Sequence, residues 1–321
     1  MSVGLLGLSV SFFIIVVLVH FSLPLGGALT LVALLLSRIL YGALASAIVP
    51  VAQLKNADLA QDGEHISKMF SHSLALNVGR SLGPLLLLVG KNDIETLLLS
   101  ISAWTFLLLI LNFFMSSPKT APHKNVASSL STYSEWKSVA TLIWLPLLVT
   151  ILFTSYTGVL HSSLGETLKN VFTLSGVEAS TLMAKVLLLG SVAMILAQVM
   201  GKIFFKKNIK LALTLGLISL VIGALLLAFM KDFTQLNIAI VLISMGIALI
   251  YPSHLALVHE NYPKETMGKN IGVLASGNTI GYALGGAVAS LMMSFELHKV
   301  ALIIVALLCG ATILNSKRMK T

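Results

Sequence analysis

The sequence predicts an all-α integral membrane protein with about ten transmembrane helices, and three observations support this fold class. Hydrophobic residues make up 57% of the 321 residues and charged residues only 10%, whereas a soluble domain carries roughly 25% charged residues. The mean hydropathy is +0.96. The apolar residues form long runs, and the basic residues lie mainly in the short gaps between them. A chain so poor in charge cannot cover a globule that faces water, so its apolar surface must face lipid.

Each predicted span is long enough to cross the hydrocarbon core of a bilayer, which takes about 20 helical residues. The ten spans are 3–20, 28–52, 66–90, 96–115, 139–160, 178–201, 209–230, 236–258, 270–293 and 297–315. The first segment has no basic n-region and no Ala-x-Ala-like cleavage site, so we expect a retained helix and not a signal peptide. The single cysteine, Cys309, excludes a disulfide within the chain.

The basic residues predict the orientation of the spans. With the N-terminus in the cytoplasm, 14 of the 21 Lys and Arg residues fall on the inside, 4 fall on the outside and 3 lie within spans. Cytoplasmic loops of membrane proteins carry such an excess. We therefore expect a multi-pass protein of the cytoplasmic (inner) membrane with both termini in the cytoplasm. The net charge of +9 follows from this bias and does not indicate a nucleic-acid partner, which would need basic residues clustered on one solvated face.

The longest gap between spans, residues 116–138, divides the predicted helices into two groups. It is rich in Ser and Thr and carries two Pro, a composition typical of a flexible linker. The predicted organisation is an incomplete N-terminal bundle of four helices over 1–115, a cytoplasmic linker over 116–138, and a C-terminal bundle of six helices over 139–321.

An internal repeat relates the first four predicted helices to the last four. The repeated positions are Pro50, Gly79 and Gly83 in the first copy, and Pro252, Gly281 and Gly285 in the second. Both copies have the same spacing, and the offset between them is 202 residues without a gap. Two such copies in the same order and orientation form a parallel repeat. Residues 139–201 have no counterpart in the chain, so we expect a twelve-helix architecture whose first two helices would precede Met1.

Two motifs carry a resemblance to a known family. Residues 34–42 resemble the fourth-helix motif l-x-x-x-R-x-x-q-G of drug/proton antiporters, with Tyr41 in place of the Gln. Residues 79–84 resemble the fifth-helix motif g-x-x-x-G-P-x-x-G-G, which separates exporters from importers, with Leu87 and Leu88 in place of the closing Gly pair. On these motifs the chain resembles the major facilitator superfamily, which implies a bundle of two parallel-repeat halves.

The resemblance also implies a function. Drug/proton antiporters of this superfamily are secondary efflux transporters that work by alternating access. Residues 71–80 are similar to exporters of carboxylate siderophores. The implied activity is therefore efflux of a small organic molecule by proton antiport, as in siderophore export or multidrug resistance. The family's hallmark loop between its second and third helices has no counterpart in the sequence, because its position would precede Met1.

Three basic residues lie within predicted spans and are candidate substrate or coupling residues: Arg38, Arg80 and Lys185. A charge in the hydrocarbon costs roughly 2.5–3.5 kcal/mol on insertion scales, so such residues are usually functional. No acidic residue lies in the interior of a span. A cavity with three cations and no fixed anion would favour an anionic substrate. In the structural alternative, Arg38 and Arg80 bond backbone carbonyls between helices, and Lys185 extends its long stem towards water.

Five polar residues on the predicted cavity helices complete this set: His72, Asn77, His254, Asn278 and Tyr282. His254 can carry protons because histidine titrates near neutral pH. Alternatively, it simply bonds a neighbouring carbonyl. The other four are expected to contact substrate.

Small and kinking residues form a separate group of candidates for helix packing and gating: Gly42, Gly79, Gly83, Pro84, Pro252, Gly281 and Gly285. The two glycine pairs are small-xxx-small faces that let helices approach closely, and Pro84 removes a backbone donor and kinks its helix. We expect the glycine faces to form a sliding contact between the two bundles. Static packing is the alternative.

The leading hypothesis is a proton-coupled efflux transporter for a small, anionic organic molecule. The spans contain no phosphate-binding glycine loop, no paired carboxylates and no His-x-x-x-His spacing, so no enzyme activity, cofactor or metal site is predicted. The predicted partners are a small-molecule substrate, protons and the lipid bilayer, for a monomeric chain. Two alternatives stay open: a truncated, non-transporting membrane protein, and an importer of the same fold.

Overall fold

The structure is a computed structural model, and the described residues form helices and no strands. It describes residues 2–20, 32, 35–37, 39, 42, 48–58, 65–89, 94–114, 139, 141–205, 208–262, 266–291 and 297–318. Ten helices follow one another there: α1 (Ser2–His20), α2 (Ile48–Asp58), α3 (His65–Val89), α4 (Ile94–Phe114), α5 (Trp144–Val171), α6 (Gly176–Phe204), α7 (Ile209–Ala228), α8 (Phe233–Asn261), α9 (Met267–Leu291) and α10 (Leu297–Arg318). The predicted all-α fold class is confirmed.

Nine of the ten predicted spans correspond to one helix each among the described residues. The exception, 28–52, lies mostly outside them, and only its last five residues fall in α2. Six of the described helices are long and apolar enough to cross a membrane, namely α4 from Thr96 onwards and α5 to α9. The described apolar stretches of α1 and α10, Gly4–Leu18 and Val300–Asn315, are shorter.

The predicted end of the fifth span at residue 160 is wrong, because α5 continues to Val171. Glu166 and Lys169 lie beyond the predicted end, on the extended helix, and form an ion pair of 3.6 Å one turn apart. The next helix begins at a capping box, in which the Ser175 hydroxyl accepts from the Glu178 N–H at 3.3 Å and the Glu178 carboxylate accepts from the Ser175 N–H at 2.9 Å. The extension places His161 on α5.

The internal repeat is visible in the helix bounds. Helix α3 covers residues 65–89 and α9 covers 267–291, so both ends differ by the predicted offset of 202. The following helices, α4 and α10, begin 203 residues apart. The equal spacing agrees with two parallel-repeat halves in one chain.

The chain divides into two compact units, residues 1–52 with 89–133, and residues 53–88 with 134–321. In the first unit α1 packs against α4, and Ser11 and Ser37 each donate a hydroxyl to the other's carbonyl oxygen, at 2.9 and 3.0 Å. The second unit contains α3 and α5 to α10. The bundle boundaries predicted from the sequence stay a prediction, and the structure places α3 with the C-terminal helices.

Helices α9 and α5 approach closely at glycines. A Cβ atom at Gly285 would lie 2.9 Å from the Val159 nitrogen and 3.0 Å from the Gly158 Cα, and one at Gly281 would lie 2.5 Å from the Ile151 carbonyl oxygen. Helix α5 belongs to the predicted C-terminal bundle, as α9 does. This glycine pair therefore packs together two helices that the sequence assigns to the same bundle, which is the arrangement of the static-packing alternative.

The first glycine pair has a different environment. A Cβ atom at Gly79 or Gly83 would meet no described atom within 4 Å, and the same holds for Gly42. Among the described residues, the two copies of the repeat share the spacing of these glycines but not a packing partner. Their predicted role as a sliding contact stays a prediction.

Candidate transport cavity

A cavity of about 430 Å³ lies inside the second unit, between α3, α5, α6, α8 and α9. Its polar lining consists of Asn77, Arg80, Thr157, His161, Ser191, Ser244 and Tyr282. Its larger apolar side chains are Phe153, Leu160, Leu187, Met194, Ile240, Ile243 and Ile247. This volume and this mixture of mainly apolar walls with a few polar groups are typical of small-molecule binding sites.

Helical periodicity brings the lining residues together. On α3 the residues Asn77, Arg80 and Pro84 are three and four positions apart, which places them on one face. On α5 the lining residues Phe153, Thr157 and His161 are each four positions apart, so they too share a face. The functional side chains therefore come from helix faces that the sequence spacing specifies.

Arg80 and His161 are the basic side chains of this lining. Both are exposed to the cavity, and Arg80 lies near enough to His161 to act on it electrostatically. Neither side chain has a hydrogen-bond or ion-pair partner among the described residues, and no described lining residue is acidic. The cavity therefore holds a positive charge that the described protein groups leave unpaired.

A close approach of α6 to α8 forms another wall of the cavity. A Cβ atom at Gly190 would lie 2.7 Å from the Ser244 hydroxyl and 3.1 Å from Ile240. Glycine at this position lets the two helices meet, and it keeps Ser191 and Ser244 at the cavity surface. The hydroxyls of this wall add neutral hydrogen-bonding groups beside the apolar side chains.

Tyr251 connects the cavity wall to two other helices. Its hydroxyl oxygen accepts hydrogen bonds from Gln53 Nε2 at 3.1 Å and from Asn278 Nδ2 at 3.2 Å. Its ring stacks on Phe153, with the centroids 5.7 Å apart. Phe153 lines the cavity, so this network on α2, α8 and α9 supports one wall of the site.

Comparison with protein families decides what kind of protein this is. A sequence model of the Major Facilitator Superfamily matches residues 1–286, and again residues 209–316. The chain belongs to the major facilitator superfamily. The second match covers the predicted second copy of the repeat, residues 209–315. A comparison with curated proteins finds no matching sequence.

Solved structures of other facilitators have the same fold. The human organic anion transporter MFSD10 (TETRAN) is 19% identical to this chain and superposes with a TM-score of 0.78. The alignment covers 98% of this chain and 76% of the MFSD10 chain. A bacterial homologue of the iron transporter ferroportin, in an outward-facing state, is 18% identical over 98% of this chain and 82% of its own, with a TM-score of 0.68. The Escherichia coli fucose:proton symporter FucP is 16% identical, with a TM-score of 0.60, and the alignment covers 98% of this chain and 84% of the FucP chain. These proteins are transporters, and at such low identity they show the fold alone.

Four of the residues predicted from the facilitator sequence line the cavity: Asn77, Arg80, Pro84 and Tyr282. Asn278 lies one turn before Tyr282 and bonds Tyr251. The structure thus brings together predicted candidates from α3 and α9, the two helices that the repeat relates to each other.

Other predicted residues of this facilitator lie elsewhere. His254 is buried, and its Nε2 atom lies 3.2 Å from both the Pro146 carbonyl oxygen and the Thr150 hydroxyl. This is the arrangement of the structural alternative. Pro252 is buried within α8, two residues before His254. His72 is buried on α3 and does not line the cavity.

The two remaining basic candidates, Lys185 and Arg38, are not found in the cavity lining. One is exposed elsewhere and the other lies outside the described residues. Lys185 is exposed and lies two residues before Leu187, a lining residue of α6. At about 100° per residue, Lys185 is on roughly the opposite face of that helix. The structure therefore does not place it in the cavity. Arg38 lies outside the described residues.

His161 is the main functional candidate of this facilitator that the sequence interpretation missed. The predicted span ended at residue 160, so His161 counted as a loop residue. A usable signal was present, because Phe153, Thr157 and His161 continue one helix face past the predicted end. Tyr251 and Gln53 were also missed. No spacing rule connects two residues 198 positions apart.

Proposed function

We propose that this facilitator exports a small organic anion by alternating access, coupled to protons, and that the Arg80 cavity is its substrate site. One observation carries the proposal. The Arg80 guanidinium group lines the cavity without a hydrogen-bond or ion-pair partner among the described residues, and the described lining has no acidic residue. Such a site is suited to an anion and unsuited to a cation.

The energetics favour a charged cargo. A positive charge inside a membrane protein is costly unless it meets water or an opposite charge. A carboxylate or sulfonate that enters the cavity can accept two parallel N–H bonds from the guanidinium group. The bound anion would offset part of the cost that the empty site bears, so charge neutralisation supplies binding energy.

The apolar walls set the rest of the cargo. Leu187, Met194, Ile240 and Ile243 line the cavity together with the aromatic ring of Phe153. These side chains favour an apolar or aromatic body attached to the anionic group, because burial of apolar surface stabilises binding. A siderophore- or drug-like organic anion fits this description. MFSD10, which has the same fold, is named an organic anion transporter.

The direction is proposed from the motif at residues 79–84. Its resemblance to the fifth-helix antiporter motif favours export, and the excess of basic residues in the predicted inside loops supports an orientation with both termini in the cytoplasm. Import through the same site is the alternative. Among the described lining residues, His161 carries the imidazole group, which can take up and release a proton near neutral pH.

Transport assays in liposomes test the proposal. The full chain is reconstituted, 2-naphthalenesulfonate is trapped inside as an aromatic anion that does not cross lipid unaided, and its release is followed by fluorescence. We expect release by the wild-type protein and at least about tenfold slower release for Arg80→Gln, which corresponds to a loss of about 1.4 kcal/mol. Lys210→Gln is the control, because Lys210 is exposed at the start of α7 and does not line the cavity.

The possible results separate the hypotheses. Wild-type release that Arg80→Gln leaves unchanged would remove Arg80 from the substrate site. No release by wild-type protein would favour the non-transporting alternative. An importer would be favoured if transport occurs only when the anion gradient and the proton gradient both point towards the cytoplasmic face of the protein.

A further inference from the structure

We propose that the anion and a proton bind this cavity together, with the proton on His161, so that the protein moves both in the same direction. This inference rests on the proposed function and specifies its proton coupling. It differs from the antiport that the motif resemblance implies, in which substrate and proton exchange places. The juxtaposition of His161 and Arg80 in one cavity carries it.

The described lining residues around His161 include no acidic side chain. Helix α3 contributes Arg80, and α9 contributes the Tyr282 phenol. The described lining residues of α6 and α8 offer the hydroxyls of Ser191 and Ser244, which stay neutral, and no titratable side chain. Helix α10 also packs against α5 but contributes no described residue to the lining. Arg80 therefore dominates the electrostatic environment of His161.

This arrangement makes protonation of His161 depend on the cargo. In the empty cavity, a protonated imidazole and the Arg80 guanidinium repel each other in a space with low dielectric screening. An anion that binds between them attracts both. By linkage, the anion raises the proton affinity of His161 by the same factor by which the proton raises the anion affinity.

Antiport would need the opposite relation. Substrate and proton exchange when they compete, and competition arises when protonation removes the charge that holds the substrate, as with a carboxylate and a cationic drug. Protonation of His161 adds a positive charge and therefore attracts an anion. For a cargo with one negative charge, the anion and the proton on His161 add no net charge together, so the membrane potential neither drives nor opposes their joint movement.

His161 on α5 is a better candidate for this role than His254, the buried histidine of α8. His254 lies outside the described cavity lining, and its Nε2 atom is within 3.2 Å of a carbonyl oxygen and a hydroxyl on α5. His161 has no hydrogen-bond partner among the described residues and faces the site itself. A protonated His161 imidazole can therefore contact an anion in the cavity directly.

Calorimetric titration of 2-naphthalenesulfonate into the purified full chain tests this inference. A sulfonate keeps its charge throughout the range from pH 5.5 to 8, so any proton taken up on binding must go to the protein. Titrations in buffers with different ionisation enthalpies measure that uptake. We expect the wild-type protein to take up as much as one proton per anion, and its affinity to fall by up to about tenfold per pH unit as the pH rises.

Variants assign the proton to a residue. His161→Gln should bind the anion with no proton uptake and no pH dependence. His161→Lys, which keeps a fixed positive charge, should also take up no proton and should stay tight at pH 8. His259→Gln, on a half-buried residue near the end of α8, should behave as wild type. The two His161 variants keep the test valid if one of them does not fold.

Each result has a distinct meaning. Proton uptake in wild type that both His161 variants lose supports co-binding. Anion binding without proton uptake, binding with proton release, or uptake that survives in the His161 variants overturns the inference and leaves the anion site standing. If wild-type protein fails to bind 2-naphthalenesulfonate, the proposed anion site fails, and co-binding fails with it.

Discussion

Arg80 on α3 and His161 on α5 line the same cavity, and neither has a hydrogen-bond partner among the described residues. Two basic side chains in one cavity whose described lining has no acidic residue are costly for a membrane protein to maintain. The arrangement is explained if an anion occupies the space between them during transport. The predictions below test this explanation and the packing that supports the cavity.

Arg80 should contribute to affinity through both its charge and its geometry. Arg80→Lys keeps the charge but loses the planar, two-pronged donor, so we expect a weakened but measurable affinity. Arg80→Gln removes the charge. Hydrogen bonds to charged groups are worth about 1.5–3 kcal/mol, so this variant should bind 2-naphthalenesulfonate roughly 10- to 150-fold more weakly. Calorimetry provides the dissociation constants, and equal affinities for all three proteins would contradict the assignment.

Lys185 should be dispensable for anion transport. It is exposed and lies on roughly the opposite face of α6 from the lining residue Leu187. Lys185→Gln is therefore expected to release 2-naphthalenesulfonate from liposomes at the wild-type rate. A loss as large as that of Arg80→Gln would mean that Lys185 reaches the transported anion and that the cavity does not contain the whole site.

The glycine contact between α5 and α9 should be a packing contact. In Gly285→Ala the added Cβ would crowd the Val159 nitrogen and the Gly158 Cα, which are backbone atoms with little freedom to move. Overpacking of this kind costs about 1–3 kcal/mol, so the Tm of the purified protein should fall. Gly83→Ala is the matched control from the other copy of the repeat, where the added atom meets no described neighbour within 4 Å. Equal Tm values for the two variants would contradict the contact.

Tyr251 should stabilise the cavity wall through its hydroxyl group. Tyr251→Phe keeps the ring that stacks on Phe153 but leaves the Gln53 and Asn278 amides without their acceptor. An unsatisfied buried donor costs about 1–3 kcal/mol, so thermal stability should fall. Tyr156→Phe is the control, because the Tyr156 ring is buried but its hydroxyl bonds no described residue. If Tyr156→Phe proves as costly as Tyr251→Phe, the network is not a specific support.

The sequence predicted the fold through local patterns and missed contacts that depend on tertiary packing. Hydrophobic runs located nine helices, and the glycine spacing predicted the offset of 202 that α3 and α9 have in the structure. The partner of Gly281 and Gly285 could not be predicted, because spacing along one helix does not say which helix packs against it. The hydrogen bond from Gln53 to Tyr251 could not be predicted either, because it also joins two different helices.

The candidate site was predicted in part. Arg80 was found because a charge in an apolar span is conspicuous, and Lys185 was included by the same rule although it faces away from the cavity. Composition cannot distinguish the two faces of a helix, whereas the spacing of Asn77, Arg80 and Pro84 can. His161 was missed because the polar residues that follow it resemble a loop, although the helix continues beyond the apolar segment.

A structure of the protein bound to 2-naphthalenesulfonate tests the central claim most directly. The account predicts sulfonate density within hydrogen-bond distance of the Arg80 guanidinium and close to the His161 ring, with the naphthalene rings against Met194 and Ile243. Sulfonate density away from Arg80, or an empty cavity at a saturating concentration of the anion, would contradict it.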